Sequence, residues 1–335
     1  MNPTTVILSA PSRLHLGLFP GPAGQTSYFG GAGIMLTHPR TTIRFHPSRE
    51  RKIHGVRAER AAVFADRWLA SEGSSIRSFD LNVIEAPPEH VGLGSGTQLA
   101  LAVGVGLQLF LHTESDRVTH LVNRVTEFDI LDVATKLGRA GRTVIGTRGF
   151  QLGGMVVDWG RDPKRPAAEN YQRFPFPAEW PILLVTLPLT PGLHGQAEQV
   201  AFDEEIEKHA GLREEMLGLL REELMPAVER QDYARFAAAV FPFGCASGRI
   251  FEKVQGGLFC SPEVADLVTR FRRAGAEAVV QSSWGPTIGV VFPSTEAAAK
   301  IAAQVLTNSP EGTEVHVTTA DNHGPRIETD FQLPN

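Results

Sequence analysis

A glycine-rich segment that runs straight into an uncharged helix constrains this chain more than any other feature. Pro87-Pro88-Glu89-His90-Val91-Gly92-Leu93-Gly94-Ser95-Gly96-Thr97-Gln98 is followed by an uncharged stretch from Leu99 to Leu111, apolar but for Gln108. A helix that is apolar all round must be buried on every side. Its first turn leaves N–H groups unpaired and presents the positive end of the helix dipole, which suits a phosphate. Glycines let backbone approach an anion closely, and Ser95 and Thr97 add hydroxyl donors. The segment is not a P-loop, because no Gly-Lys-Ser/Thr follows. Nor is it a dinucleotide fingerprint, since the third glycine falls too early and no acid sits about 20 residues on. On residues alone it reads two ways. It is either a tight turn in which Gly94 and Gly96 take positive φ, or a ligand loop.

The length of 335 residues suggests two domains. Hydrophobic residues make up 42% and charged residues 21%, which excludes collagenous, disordered and coiled-coil chains. The net charge of −5, with no polybasic run, argues against a nucleic-acid partner. Cys245 and Cys260 form neither a disulfide framework nor a zinc pattern, and read as small buried groups in a reducing compartment. No signal peptide and no membrane span are expected, so a cytoplasmic location and no membrane partner are the expectation.

Strands are expected at Val6-Ile7-Leu8 and after Pro11, where Leu14, Leu16 and Leu18 alternate with Arg13, His15 and Gly17. Further strands are expected at Thr41 to His46, Phe79 to Val83 and Gly153 to Trp159. Helices are expected at Ala58 to Leu69, after the loop, and from a Ser115-Asp116 cap to Gly138. Gly160 to Pro177 reads as a linker. In the second half, Ile182 to Leu187 is a strand, Asp203 to Leu224 a helix ended by Pro226, and Asp232 to Val240 another. A helix capped by Ser261-Pro262 stops at Gly275. Strands at Ala278 to Gln281 and Thr287 to Phe292, a helix capped by Ser294 and running to Leu306, and a last strand at Glu314 to Thr318 complete a ferredoxin-like pattern.

Pro-x-x-x-x-Gly-Leu-Gly-Ser-Gly opening a helix resembles the phosphate motif of the GHMP kinase superfamily. Ser12-Arg13-Leu14-His15-Leu16-Gly17 resembles its first motif, and Ser282-Ser283-Trp284-Gly285-Pro286-Thr287 sits where its third lies. The resemblance implies an α+β two-domain fold. An N-terminal domain of ribosomal-protein-S5-like type would span 1–165 and a ferredoxin-like C-terminal domain 176–330. Gly92 to Ala100, Gly141-Arg142-Thr143-Val144-Ile145-Gly146-Thr147, Gln255-Gly256-Gly257 and Gln281 to Thr287 resemble the β-ribofuranosylaminobenzene 5′-phosphate synthase branch. That branch joins phosphoribosyl pyrophosphate to 4-aminobenzoate, releasing CO₂ and pyrophosphate, in tetrahydromethanopterin synthesis. Related synthases take a carboxylated heteroarene. Kinases of the superfamily carry Ser-Gly-x-Asp after the second long helix, and that Asp serves the acceptor hydroxyl. Thr143 to Thr147 stands there instead, without a carboxylate.

The implied donor site is Gly92, Gly94, Ser95, Gly96, Thr97 and Gln98. Pyrophosphate leaving an anomeric carbon must be neutralised, by Mg²⁺ and by N–H, Arg or His donors. No organic cofactor is expected, and the metal ligands are not identified. Arg13 and His15 share a strand face and are assigned to catalysis with Arg142 and Arg148. The alternative for Arg142 and Arg148 is surface charge, and solvated charge is the favoured reading of Arg139. Gln281, Ser282, Ser283, Trp284 and His194 are assigned to the acceptor, with Trp284 stacking on an arene or pinning its loop. Glu198 reads as a cap, and Asp129 and Asp132 as a solvated pair or a metal aid. The expected partners are the two substrates, with a second copy as a possible homodimer. An ATP-dependent kinase and a non-catalytic sugar-phosphate sensor remain open as rival readings.

Overall fold

The computed structural model describes residues 5–21, 29–74, 78–111, 128–139, 141, 143–160, 170–189 and 209–329. Two long strands, β1 (Val6–Pro20) and β2 (Phe29–His46), pair antiparallel at the centre of the first sheet. β3 (Lys52–Gly55), β4 (Asp80–Glu85) and β11 (Arg326–Thr329) complete the order β11-β1-β2-β4-β3. β5 (Met155–Asp158) joins the other half of β2 and carries β6 (Tyr171–Phe174). The simple alternation of β1 fails near the site. Register shifts at Pro11/Ser12 and His15/Gly17 re-aim the strand, so His15 is buried along with Leu14 and Leu16.

Helix α1 (Ala58–Ser71), α2 (Ser95–Leu111), α3 (Ile130–Lys136) and α4 (Ile145–Leu152) cover this sheet. The all-apolar α2 is enclosed as its composition demands, and its glycines set the approach. A Cβ on Gly106 would lie 2.6 Å from the Phe45 ring. Asp129 caps α3 through the Asp132 N–H, and Gly138 follows its end at φ +68°. The expected start at Ser115-Asp116 lies outside the described residues.

The second sheet has the order β10-β7-β9-β8, all antiparallel, which is the ferredoxin-like arrangement. Its strands are β7 (Ile182–Thr186), β8 (Ala278–Gln281), β9 (Thr287–Val291) and β10 (Glu314–Thr318). α5 (Ala210–Gly218) passes through a π-helical stretch, Leu219–Leu224, into α6 (Met225–Arg230). α7 (Tyr233–Ile250), α8 (Glu252–Gln255), α9 (Pro262–Arg273) and α10 (Thr295–Leu306) follow. One apolar core joins the sheets, with Leu14, Val91, Phe243 and Trp284 in contact with the same cluster.

Three expectations need correction, and one strand was missed. Pro226 does not end a helix. The π-helical stretch precedes it, and it falls in the first turn of α6, where a missing N–H costs little. The helix expected over Asp232 to Val240 runs to Ile250 and carries Pro242 inside it. The supposed linker contains β6. β11 was not anticipated, and it returns the chain to β1 of the first sheet. Its period is masked by the charges of Arg326 and Glu328.

Candidate active site

The glycine loop is shaped by alternate residues in the left-handed region: His90 at φ +61°, Gly92 at +94° and Gly94 at +71°. Such alternation turns successive N–H groups toward one concavity, an anion-binding device. Gly94 accepts from the Thr97 and Gln98 N–H groups at 3.0 and 3.2 Å and so starts α2. The first turn of α2 holds no acidic residue, which leaves its positive end open to an anion. Gly96 has ordinary helical φ, so only Gly94 needs the freedom expected of both.

Four neighbours line the loop in sequence order. At its start, Gly92 lies on the β8–β9 turn, where the Ser282 hydroxyl donates to the Gly92 carbonyl at 2.9 Å. In its middle, the Arg13 N–H donates to the Leu93 carbonyl at 3.0 Å, and the Arg13 guanidinium lies beside Gly94. A Cβ on Gly146 would lie 3.4 Å from both Arg13 Nη1 and Thr97 Cγ2, so α4 begins against the loop. At its end, Gly96 faces Arg139, whose Nη2 would be 3.4 Å from a Cβ there.

Beside the loop, a cleft opens between the two sheets. β1 supplies His15 to Leu18, α7 supplies Gly244, Ser247 and Gly248, and the second half adds Phe251, Gln255, Gln281, Ser283 and Trp284. α7 reaches β1 through small residues: the Leu18 N–H donates to the Ser247 hydroxyl at 2.9 Å. Trp284 packs on Phe251 with ring centroids 4.7 Å apart and planes tilted 51°. Burial first, and then the charge of Arg13, hold the His15 imidazole well below its usual pKa, so it is neutral at neutral pH.

The structure brings most of the predicted residues together but reassigns several. Ser282 is fully buried and spans the domains. Its hydroxyl accepts from the His15 N–H at 2.9 Å while donating to Gly92, so it positions the loop and does not face the cleft. Gln98 is fully buried, and its amide donates to the Gly146 carbonyl at 3.0 Å, so it braces α2 against α4. Gln281 lines the cleft, but its amide accepts from the Cys260 N–H at 2.7 Å and donates to the Ser283 carbonyl at 2.8 Å. Ser283 holds φ +57°, a strained value for serine at the cleft edge. Trp284 both lines the cleft and pins its turn. Arg148 donates to Gln151 at 2.5 Å and lies 5.3 Å over the Tyr171 ring, on the β6 side of α4. Arg142, His194 and Glu198 lie outside the described residues. Asp129 is a helix cap, and Asp132 pairs with Lys136 at 2.7 Å.

Arg139 is the chief correction. It is half-buried against Phe64, 5.1 Å from the ring centroid, rather than solvated. Burial, then the charges of Arg60, Arg67 and Arg57, push its pKa down to about 10, so it stays cationic at neutral pH. The buried Asp158, which sequence reasoning passed over, accepts from the Val144 N–H at 2.7 Å and the Gly160 N–H at 2.9 Å. It fixes the start of α4. The α7 contribution was also missed, although small residues at Gly244, Ser247 and Gly248 have the helical spacing of a close-packed face. Both cysteines are free, and burial raises the Cys260 thiol to about 11.

Residues 224–310 match the family described as GHMP kinases C terminal. A homoserine kinase from Cytophaga hutchinsonii superposes with a TM-score of 0.62 at 17% identity, covering 98% of each chain. The chain has the GHMP kinase fold. Two curated relatives are both named beta-ribofuranosylphenol 5'-phosphate synthase. The one from Methanothermobacter thermautotrophicus is 26% identical over 84% of this chain and 87% of its own. The one from Methanocaldococcus jannaschii is 25% identical over 96% and 100%. On this GHMP kinase fold the Ser282 and Arg13 segments meet at the glycine loop, through the Ser282 bond to Gly92 and the Arg13 bond to Leu93. No described helix is long and apolar enough to cross a membrane.

Proposed function

We propose that the chain is a decarboxylative C-ribosyltransferase, joining phosphoribosyl pyrophosphate to a para-substituted benzoate. The observation that carries this reading is the segment beside the loop. By the motif resemblance, Thr143 to Thr147 stands where a kinase would present its acceptor carboxylate, and the buried Asp158 accepts from the Val144 and Gly160 N–H groups. A hydroxyl acceptor would therefore lack its base. The relatives' printed name supports a ribosylated arene as product, and it specifies a phenol where the sequence resemblance implies an aminobenzene. The reading accordingly takes 4-hydroxybenzoate as the first acceptor and 4-aminobenzoate as the second.

In this reading the loop N–H groups and Arg13 hold donor phosphate, while Trp284 and Phe251 wall the arene. The anomeric C–O bond breaks with its electron pair leaving on pyrophosphate. The ring carbon bearing the carboxylate forms the new C–C bond. The C–COO⁻ bond then breaks, its electrons restore the aromatic ring, and CO₂ departs. No proton leaves that carbon, so the neutral His15 is not needed as a base. Its imidazole offers hydrogen bonding without adding charge beside the cationic sugar. Among the described residues no three potential ligands gather into a metal site. The expected Mg²⁺, entering with the donor, would supply charge neutralisation for the departing pyrophosphate.

The test is to incubate the protein with phosphoribosyl pyrophosphate, Mg²⁺ and carboxyl-labelled 4-hydroxybenzoate. Labelled CO₂ and pyrophosphate in equal amounts are expected. ADP formed from ATP with a small alcohol, and no CO₂, would replace the synthase by a kinase.

A further inference from the structure

Four guanidinium groups converge where the glycine loop meets α1. Arg57 immediately precedes α1, Arg60 and Arg67 lie along it, and Arg139 follows α3. Arg60 and Arg139 both lie over the Phe64 ring, at 5.3 and 5.1 Å from its centroid. Arg67 Nη1 is 3.2 Å from the position of a Cβ on Gly138. Arg57 donates to the Pro87 carbonyl at 3.1 Å and pairs with Glu89. Among the described residues, Glu89 is the carboxylate that answers this cluster. The Nε atoms of Arg57 and Arg139 are buried without a hydrogen-bond partner there.

Like charges gathered this closely repel unless an anion joins them, and this concentration of positive charge stands out in a chain whose net charge is −5. Planar guanidinium forks match phosphate oxygens in pairs. The cluster also borders Gly96, so an anion there and an anion on the loop would be neighbours. The proposed donor carries phosphate at both ends of a ribose. We propose that Arg57, Arg60, Arg67 and Arg139 form a second phosphate subsite, holding the phosphorylated end of the donor that the glycine loop does not hold. This rests on the donor assignment above.

The experiment titrates the full chain with two probes, inorganic pyrophosphate and ribose 5-phosphate, each with Mg²⁺. Arg60→Ala and Arg67→Ala remove exposed side chains and leave the core untouched, and Arg139→Met keeps the packing on Phe64. Each should weaken one probe by about tenfold or more and leave the other within about twofold. Gly94→Ala should show the opposite preference, and Arg51→Ala, paired with Asp66 elsewhere, should change neither. The probe lost with the arginines tells which end of the donor they hold. Unchanged binding in all three arginine variants, equal loss of both probes, loss of the same probe in arginine and loop variants, or a wild-type chain that binds neither probe overturns the subsite. Labelled CO₂ release from the wild type is measured in parallel. Its absence, with the split probe pattern intact, sinks the reaction and leaves the subsite standing.

Discussion

The Ser282 hydroxyl donates to the Gly92 carbonyl at 2.9 Å, and a Cβ on Gly92 would stand 2.0 Å from the Ser282 carbonyl oxygen. The two motifs are therefore in backbone contact, with no room for a side chain between them. The same hydroxyl accepts from the His15 N–H, so one side chain ties three motifs from two domains. A glycine loop built this way is held by the second domain as well as by its own helix.

The loop glycines should accordingly fail in different ways. Gly92→Ala adds a Cβ against backbone that cannot swing aside, at φ +94°. It should lower the midpoint of urea unfolding and broaden the transition. Gly96→Ala sits in helical backbone, with Arg139 Nη2 at 3.4 Å as its nearest contact. It should unfold no earlier than wild type, gaining up to about 1 kcal/mol of helix propensity, yet bind donor more weakly. A Gly92→Ala protein as stable as wild type would mean that the loop is not pinned by Ser282.

A second stability test lies where the chain returns to the first sheet. Arg40 and Asp321 form a buried ion pair, and Arg40 also donates to Ser9 Oγ at 2.7 Å. Asp321 accepts in turn from the His323 and Gly324 N–H groups at 2.8 and 2.9 Å. Asp321→Ala strands a buried guanidinium and two N–H groups, and should cost about 3–5 kcal/mol. Replacing both partners, Arg40→Met with Asp321→Ala, should recover part of that loss. Chemical denaturation of the single and double variants gives the coupling, and additive losses would contradict it.

His15 gives the chain a pH dependence of known sign. Its folded pKa is depressed, chiefly by burial and then by Arg13, so below its unfolded value near 6.5 the unfolded chain binds the extra proton. Stability should be level above that value. It should decline as pH falls below 6.5, until the pH passes the folded pKa. His15→Gln should flatten this part of the profile. Urea midpoints measured between pH 8 and pH 5 test the point, and an identical slope in the variant would remove His15 as its source.

Much of the fold was legible because its signals are local. Gly138 and Gly275 follow helix ends, Ser261 and Ser294 cap helix starts, and β7 to β10 follow their apolar runs. What was missed depends on distance. β11 is a polar edge strand that exists only because β1 offers it a partner. The π-helical stretch before Pro226 is imposed by packing and has no residue signature. The loop was found from glycine spacing, but the duties of Ser282 and Gln98 were misjudged, because a hydroxyl or amide looks the same facing a ligand or locked in the core. Arg139 looked like surface charge until α1 was folded beside it. The spacing of Arg57, Arg60 and Arg67 was the available clue.

The last prediction concerns the acceptor and follows from the commitment of the buried Asp158 to the Val144 and Gly160 N–H groups. Ring attack at the carbon bearing the carboxylate builds positive charge on the arene before CO₂ leaves. A para hydroxyl or amino group feeds electrons to that carbon and lowers the barrier. Benzoate offers the same carboxylate and the same ring for Trp284 and Phe251 to wall, but no such donation. It should therefore compete with 4-hydroxybenzoate for binding and react at least about a hundredfold more slowly, a barrier difference near 2.7 kcal/mol. 4-Hydroxybenzoate should be turned over at least as well as 4-aminobenzoate, in line with the relatives' printed product. If the proposed arene site lies in the cleft that Trp284 lines, Trp284→Ala should raise the KM for either acid more than the KM for the donor. CO₂ and pyrophosphate measured together across the three acids decide the matter. Pyrophosphate released without CO₂ would mean donor hydrolysis or attack through nitrogen. Equal rates for benzoate and 4-hydroxybenzoate would rule out a cationic ring intermediate.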